Sequence, residues 1–140
     1  MRFWDSSAVV SLLVDEEPRE GLLRNLRSDG GLVVWWGTPV ECMSALARRE
    51  REGSLTVADA NDSIARLHDL ESSWFEVNPS ARVRALALRL LRTHPLRSPD
   101  SLQLAAALVA AEEDPAQLGF VCLDRRLATA AQREGFSVEP

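Results

Sequence analysis

Five short apolar runs separated by helix-length segments constrain this chain more than any other feature. The runs are Arg2-Phe3-Trp4, Leu32 to Trp36, Trp74 to Val77, Gly119 to Leu123 and Phe136 to Val138. Their length, β-branched and aromatic content and flanking glycines are those of buried strands. Between them stand helix-start signals. Asp5-Ser6-Ser7 precedes the apolar run Ala8 to Val14, and Pro18 opens a second helix with Leu22, Leu23 and Leu26 on one face, ended by Gly30-Gly31. Thr38-Pro39-Val40-Glu41 supplies an N-cap, an N1 proline and an acidic N3 for a helix to about Glu52. Thr56, Asn78-Pro79, Ser98-Pro99 and Arg125 open four more, and the last stops at Gly135.

Strands that follow one another through helices must pair in parallel, because parallel neighbours need crossover connections. The pattern therefore predicts an α/β chain of three layers, α/β/α, around a central, mostly parallel sheet. At 140 residues and 46% hydrophobic content the chain can bury a core as one domain spanning 1–140.

Charge and cysteine content narrow the function. The formal net charge is −5, the reverse of a simple electrostatic nucleic-acid binder, so a polyanionic partner needs a cation or a local arginine patch. Every basic residue is Arg and none is Lys, which excludes lysine chemistry. Cys42 and Cys122 lack the close spacing of a zinc site and are too few for a disulfide framework, so a cytoplasmic location is expected. No membrane span is expected: the longest apolar stretch, Leu102 to Ala111, is short and interrupted by Gln103. Asp5 also falls where the apolar region of a signal peptide would build.

Ligands of open α/β sheets bind at the carboxyl ends of strands, beside helix N-termini. Four acids hold such positions. Asp5 and Asp124 directly follow the first and fourth strand runs, and Glu41 and Asp100 lie in first turns of helices. Capping and the helix dipole account for acids there singly, typically by about 0.3–1 kcal/mol each, and the Thr38–Glu41 capping box is the plainest case. Capping explains an acid after a helix start better than acids that end two strands. Convergence accounts for all four, and converging carboxylates repel unless a counter-charge joins them. With oxygen ligands alone, the hard cations Mg²⁺ or Mn²⁺ are favoured. Such a site suits phosphodiester hydrolysis by a metal-activated water. Arg97, Arg125 and Arg126 flank two of the acids and suit backbone phosphates, although solvated helix ends carry the same residues.

These stretches resemble the PIN-domain ribonucleases and, among them, the VapC toxins of type II toxin–antitoxin systems. The resemblance is carried by Phe3-Trp4-Asp5-Ser6-Ser7-Ala8, Thr38-Pro39-Val40-Glu41, Arg97 to Ala105 and Phe120 to Leu127, in family order over nearly the whole chain. It implies a PIN-like fold and an acidic quartet of Asp5, Glu41, Asp100 and Asp124 that binds Mg²⁺ or Mn²⁺ and cleaves single-stranded RNA. It further implies that Ser7 is a supporting polar residue behind the first acid. A homodimer and a cognate antitoxin that blocks the cleft are implied as well. Where many relatives carry Thr or Ser two residues before the fourth acid, this chain has Cys122, a weaker hydrogen-bonding group. Trp35, Trp36 and Trp74 suit either core or interface, and Arg48, Arg49 and Arg51 suit a solvated helix face or a contact with RNA or antitoxin.

Three other readings compete. An aspartyl-phosphate phosphatase lacks its second Asp after Asp5-Ser6-Ser7 and its lysine. A Ser-His-Asp hydrolase lacks a GxSxG elbow, and His68 and His94 are expected at the surface. A catalytically degenerate PIN-fold binding module would retain the acids only as caps.

Overall fold

The computed structural model describes residues 1–16 and 19–140. In chain order the elements are β1 (Arg2–Trp4), α1 (Ser6–Leu13), α2 (Arg19–Asp29), β2 (Leu32–Trp35), α3 (Thr38–Arg51) and α4 (Val57–Glu71), then β3 (Phe75–Val77), α5 (Ala81–Thr93), α6 (Ser98–Ala110), β4 (Gly119–Val121), α7 (Arg125–Arg133) and β5 (Val138–Glu139). Pro18, expected to open the second helix, lies outside the described residues.

The strands form one parallel sheet in the order β3-β2-β1-β4-β5. β1 is central, and the chain winds outward from it through β2 to β3, then returns to the other side for β4 and β5. Right-handed crossovers in opposite directions place their helices on opposite faces. Two cores result. Trp4, Val34 and Val121 point to the side where α1, α3 and α4 bring Val9, Leu13, Leu46 and Leu67. Phe3, Trp35 and Phe120 point to the side of α5, α6 and α7, against Leu90, Leu104 and Leu127. Neighbouring residues of one strand thus serve different cores, as the two-residue strand period requires. The expected three-layer α/β/α architecture is the one observed.

Several boundaries shift. Trp36 leaves β2 and is 53% exposed, whereas Trp35 and Trp74 are buried. Cys122 and Leu123 follow β4 rather than extend it, and β5 starts after a buried Phe136. Ser80, not Asn78, caps α5, with its hydroxyl accepting the Val83 N–H at 3.1 Å. His94 is a clear correction. It is 6% exposed, because the end of α5 packs against α7 and its Nε2 pairs with Glu134 at 2.7 Å. The same Glu134 accepts from Arg89 at 2.8 Å, and those partners hold its carboxyl below the usual range. His68 is exposed as expected. Among the described residues no helix is long and apolar enough to cross a membrane.

Candidate functional site

Strand order reverses at β1, so the carboxyl ends of β1 and β4 open a crevice between helices of both faces. The backbone N–H of Asp5 bonds the Val121 carbonyl at 3.1 Å, prolonging the ladder to the crevice mouth. Asp5 directly follows β1, and Asp124 comes three residues after the end of β4, beyond Cys122 and Leu123. Each also caps the helix that begins there: Asp5 accepts the Ala8 N–H at 3.1 Å and Asp124 the Leu127 N–H at 3.0 Å.

Glu41 and Asp100 enter from the first turns of α3 and α6. Neither is held as the local sequence suggests. Gly37, not Thr38, occupies the N-cap of α3 and makes no side-chain cap bond, so the expected Thr38–Glu41 capping box does not form. Thr38 is buried, and its hydroxyl accepts from the Gln103 amide at 3.2 Å. The Glu41 carboxylate accepts from Ser6 Oγ at 2.6 Å and from Gln103 Nε2 at 3.2 Å. Arg97 takes the N-cap of α6 in place of Ser98. Asp5 and Asp124 are thus the N-cap residues, and Glu41 and Asp100 are not.

All four carboxylates line one cavity of about 630 Å³, together with Ser6, Ser7, Arg48 and Arg49. A second cavity, of about 470 Å³, shares Pro99, Asp100 and Asp124 with the first and is walled by Arg97 and Arg126. Arg125 lines neither. Arg48 and Arg49, which from sequence suit a solvated face or a contact with RNA or antitoxin, stand at the cleft, and Arg49 also pairs with Glu16 at 2.9 Å.

The electrostatics are those of a crowded anionic site. Asp5 is 3% exposed, and burial pushes its carboxyl up to about 6 against the hydrogen bonds from Ser7 and Ala8. Burial also raises Glu41, opposed by Ser6 and Gln103 and reinforced by the charge of Asp100. Asp100 is raised by burial and then by the charge of Asp124, partly offset by the Arg97 backbone and by Arg97 and Arg126. Among the described residues none of the four forms an ion pair.

Ser7 ties the two central strand ends together. Its hydroxyl donates to the Asp5 carboxylate at 2.7 Å and accepts the Leu123 N–H at 3.1 Å. Cys122 sits beneath them, its thiol donating to the Asp124 carbonyl at 3.3 Å. Burial, together with the charge of Asp5, pushes that thiol well above its usual range, so it remains a protonated donor.

An all-oxygen donor set without an ion-pair partner among the described residues fits a hard divalent cation rather than zinc. Among the described residues no three His, Cys, Asp or Glu side chains close on one point, so the acids border the cleft instead of caging its centre. Sequence reasoning missed Ser6, Thr38 and Gln103. The available signal was Gln103 itself, an amide in an otherwise apolar helix segment, which requires a polar partner across the core.

No family model matches the chain. Two curated proteins of Mycobacterium tuberculosis do: Ribonuclease VapC45 of strain CDC 1551 / Oshkosh and Ribonuclease VapC49 of strain ATCC 25618 / H37Rv. Each is 33% identical over 147 aligned positions that cover 99% of this chain and 94% of the relative. Among solved structures, FitAcB from Neisseria gonorrhoeae matches with a TM-score of 0.66 at 16% identity, over 100% of this chain and 97% of its own. A toxin–antitoxin complex from Klebsiella pneumoniae matches with a TM-score of 0.63 at 15% identity, over 91% of both chains. These structures share the PIN-like fold described above.

Proposed function

Because the chain belongs to the VapC ribonuclease family, we propose that it is a Mg²⁺- or Mn²⁺-dependent endoribonuclease toxin acting on single-stranded RNA, with residues 1–140 serving as one nuclease domain. The observation that carries this reading is the lining of one cleft by Asp5, Glu41, Asp100 and Asp124, four carboxylates far apart in sequence and without an ion-pair partner among the described residues.

Those four are the residues that would hold the cation. When bound, it supplies a water acidified for attack on phosphorus and a positive charge beside the leaving oxygen. The remaining work belongs to the chain. Ser7 fixes the Asp5 carboxylate against the end of β4, and Ser6 and Gln103 fix that of Glu41. Whichever of the four acids is left free of the cation would accept a proton from the attacking water. Arg97 and Arg126 border the acids on one side and Arg48 and Arg49 on another, so a phosphate backbone crossing the cleft meets guanidinium groups on either side of the scissile position. Arg125, which lines neither cavity, is left the weaker role of a peripheral phosphate contact.

A cognate antitoxin is the proposed regulator, since one of the solved neighbours is a toxin–antitoxin complex. A homodimer is proposed through the apolar residues left exposed on and beside α3, Trp36, Val40 and Met43. A cytoplasmic location follows from the same reading.

The deciding experiment is cleavage of a pool of cellular RNAs with Mn²⁺ or Mg²⁺, with EDTA and Asp5→Asn as controls. Metal-dependent cutting abolished by both is the expected result. A folded, metal-binding protein that cuts no RNA turns the reading to the PIN-fold binding module.

A further inference from the structure

Glu41 is the one cleft acid whose two carboxylate oxygens are gripped by side chains of two other helices. Oε2 accepts from Ser6 Oγ of α1 at 2.6 Å, and Oε1 accepts from Gln103 Nε2 of α6 at 3.2 Å. Ser6 directly follows Asp5, and Gln103 lies one helical turn beyond Asp100. Two bonds therefore refer the Glu41 carboxylate to the backbones that carry two of its partner acids.

The orientation of the Gln103 amide shows what it serves. Gln103 is 1% exposed, its NH₂ reaches Glu41 and Thr38, and its Oε1 is buried with no hydrogen-bond partner among the described residues. Turning the amide over would set its oxygen against a carboxylate oxygen. The charge of Glu41 thus dictates the orientation, at the cost of an orphaned carbonyl. Thr38, from the same first turn as Glu41, accepts from the same NH₂ at 3.2 Å and gives it a second partner on α3.

We propose that Gln103 and Ser6 are positioning residues that fix the orientation of the Glu41 carboxylate at the cleft it lines with Asp5 and Asp100, so that it can serve as a ligand when a divalent cation enters. The inference rests on the reading of the cleft as a cation site. Both act through Glu41, Gln103 from its buried place and Ser6 from the cleft wall beside the carboxylate.

The test is titration of the full chain with Mn²⁺ alone, followed calorimetrically and by the electron paramagnetic resonance of free Mn²⁺, alongside thermal unfolding of the metal-free protein. Gln103→Met keeps the length of the side chain, removes the orphaned oxygen and withdraws the amide donors. It is expected to unfold near the wild-type temperature while binding Mn²⁺ about 10–100-fold more weakly, the usual cost of losing a ligand's supporting bond. Ser6→Ala is expected to weaken Mn²⁺ binding similarly, and Ser6→Thr, which keeps the hydroxyl, to restore it. Should Gln103→Met not fold, the Ser6 pair decides alone. A folded Gln103→Met with wild-type Mn²⁺ affinity overturns the inference, as does Ser6→Ala binding no more weakly than Ser6→Thr. Wild-type protein that takes up no Mn²⁺ overturns the cation-site reading and this inference with it.

Discussion

Asp5 directly follows β1 and Asp124 comes three residues after its parallel neighbour β4, and each turns its carboxylate back to cap the helix that follows. The pairing of β1 with β4, together with the Ser7 hydroxyl that accepts the Leu123 N–H at 3.1 Å, brings the two acids to one cleft. One side chain performs both jobs that compete as explanations of its presence. Capping and convergence are separable only by substitutions that preserve one and remove the other.

Asp5→Asn makes that separation. Asparagine caps as well as aspartate, so the Ala8 N–H keeps an acceptor while the buried charge is lost. The metal-free variant should be at least as stable as wild type and should cleave no RNA. Asp5→Ala removes the acceptor for both Ala8 and Ser7 and should lose about 1–3 kcal/mol of stability. Denaturant unfolding in EDTA gives the comparison. A strongly destabilised Asp5→Asn would show that the charge itself serves the fold.

The same carboxyl predicts an unusual pH dependence. Its folded-state value of about 6 lies above the ordinary value of 3.8, so between these limits the folded protein binds the extra proton. Stability contributed by this group is therefore complete at low pH and lost as pH rises, roughly 3 kcal/mol by neutral pH. Glu134, held low by Arg89 and His94, contributes in the opposite sense: its stabilisation is present above the ordinary glutamate value and lost as pH falls through the depressed one. The difference between wild type and Asp5→Asn isolates the first effect. Without metal, the variant's advantage should grow from pH 4 to pH 7, and a constant difference across that range would refute the assignment.

The fold was legible because its cues are local and redundant. Apolar pairs such as Phe3-Trp4 and Phe120-Val121 mark strands whose alternate residues feed two cores, and glycines and capping residues mark most of the turns between. Asp5 and Asp124 were legible for the same reason, since each directly follows such a run. The support of Glu41 was not. Thr38-Pro39-Val40-Glu41 has the local form of a capping box, and only Gln103, 65 residues beyond Thr38, redirects its hydroxyl. His94 was misplaced similarly: its burial depends on α7 arriving with Glu134. What the sequence conceals here is side-chain pairing across long separations.

Cation binding should stabilise the folded chain by mass action. At a free concentration one hundred times its dissociation constant, Mn²⁺ or Mg²⁺ should add about 2.7 kcal/mol, read as an upward shift in unfolding temperature. The shift should shrink or vanish in Asp100→Asn, which removes a carboxylate that the Asp124 charge already burdens. Ca²⁺-free thermal scans with and without millimolar Mn²⁺ make the check. No shift in wild type would count against an ion in the cleft.

Arg126 should matter for RNA and not for the fold. It walls the cavity shared by Asp100 and Asp124 and forms no ion pair among the described residues. Arg126→Ala should weaken single-stranded RNA binding without regard to sequence and reduce the slope of log affinity against log salt by about 0.7, the share of one phosphate contact. Unfolding should stay within about 0.5 kcal/mol of wild type. An unchanged salt slope would place the phosphates elsewhere in the cleft.

Gly37 couples packing to the site. A Cβ built there would lie 2.6 Å from Trp35 Nε1 and 3.1 Å from Cδ1, closer than carbon tolerates. The indole cannot simply swing aside, because Trp35 is 7% exposed and packed in the core of α5, α6 and α7. Gly37→Ala must therefore shift the start of α3, whose first turn carries Thr38 and Glu41. Overpacking of this kind typically costs about 1–3 kcal/mol, and the displaced Glu41 should weaken Mn²⁺ binding as well. Gly31→Ala is the control, since its Cβ would meet nothing nearer than Met1 Cγ at 3.9 Å. Equal stability and equal Mn²⁺ affinity in the two variants would mean that the approach of Trp35 to Gly37 does not position the helix.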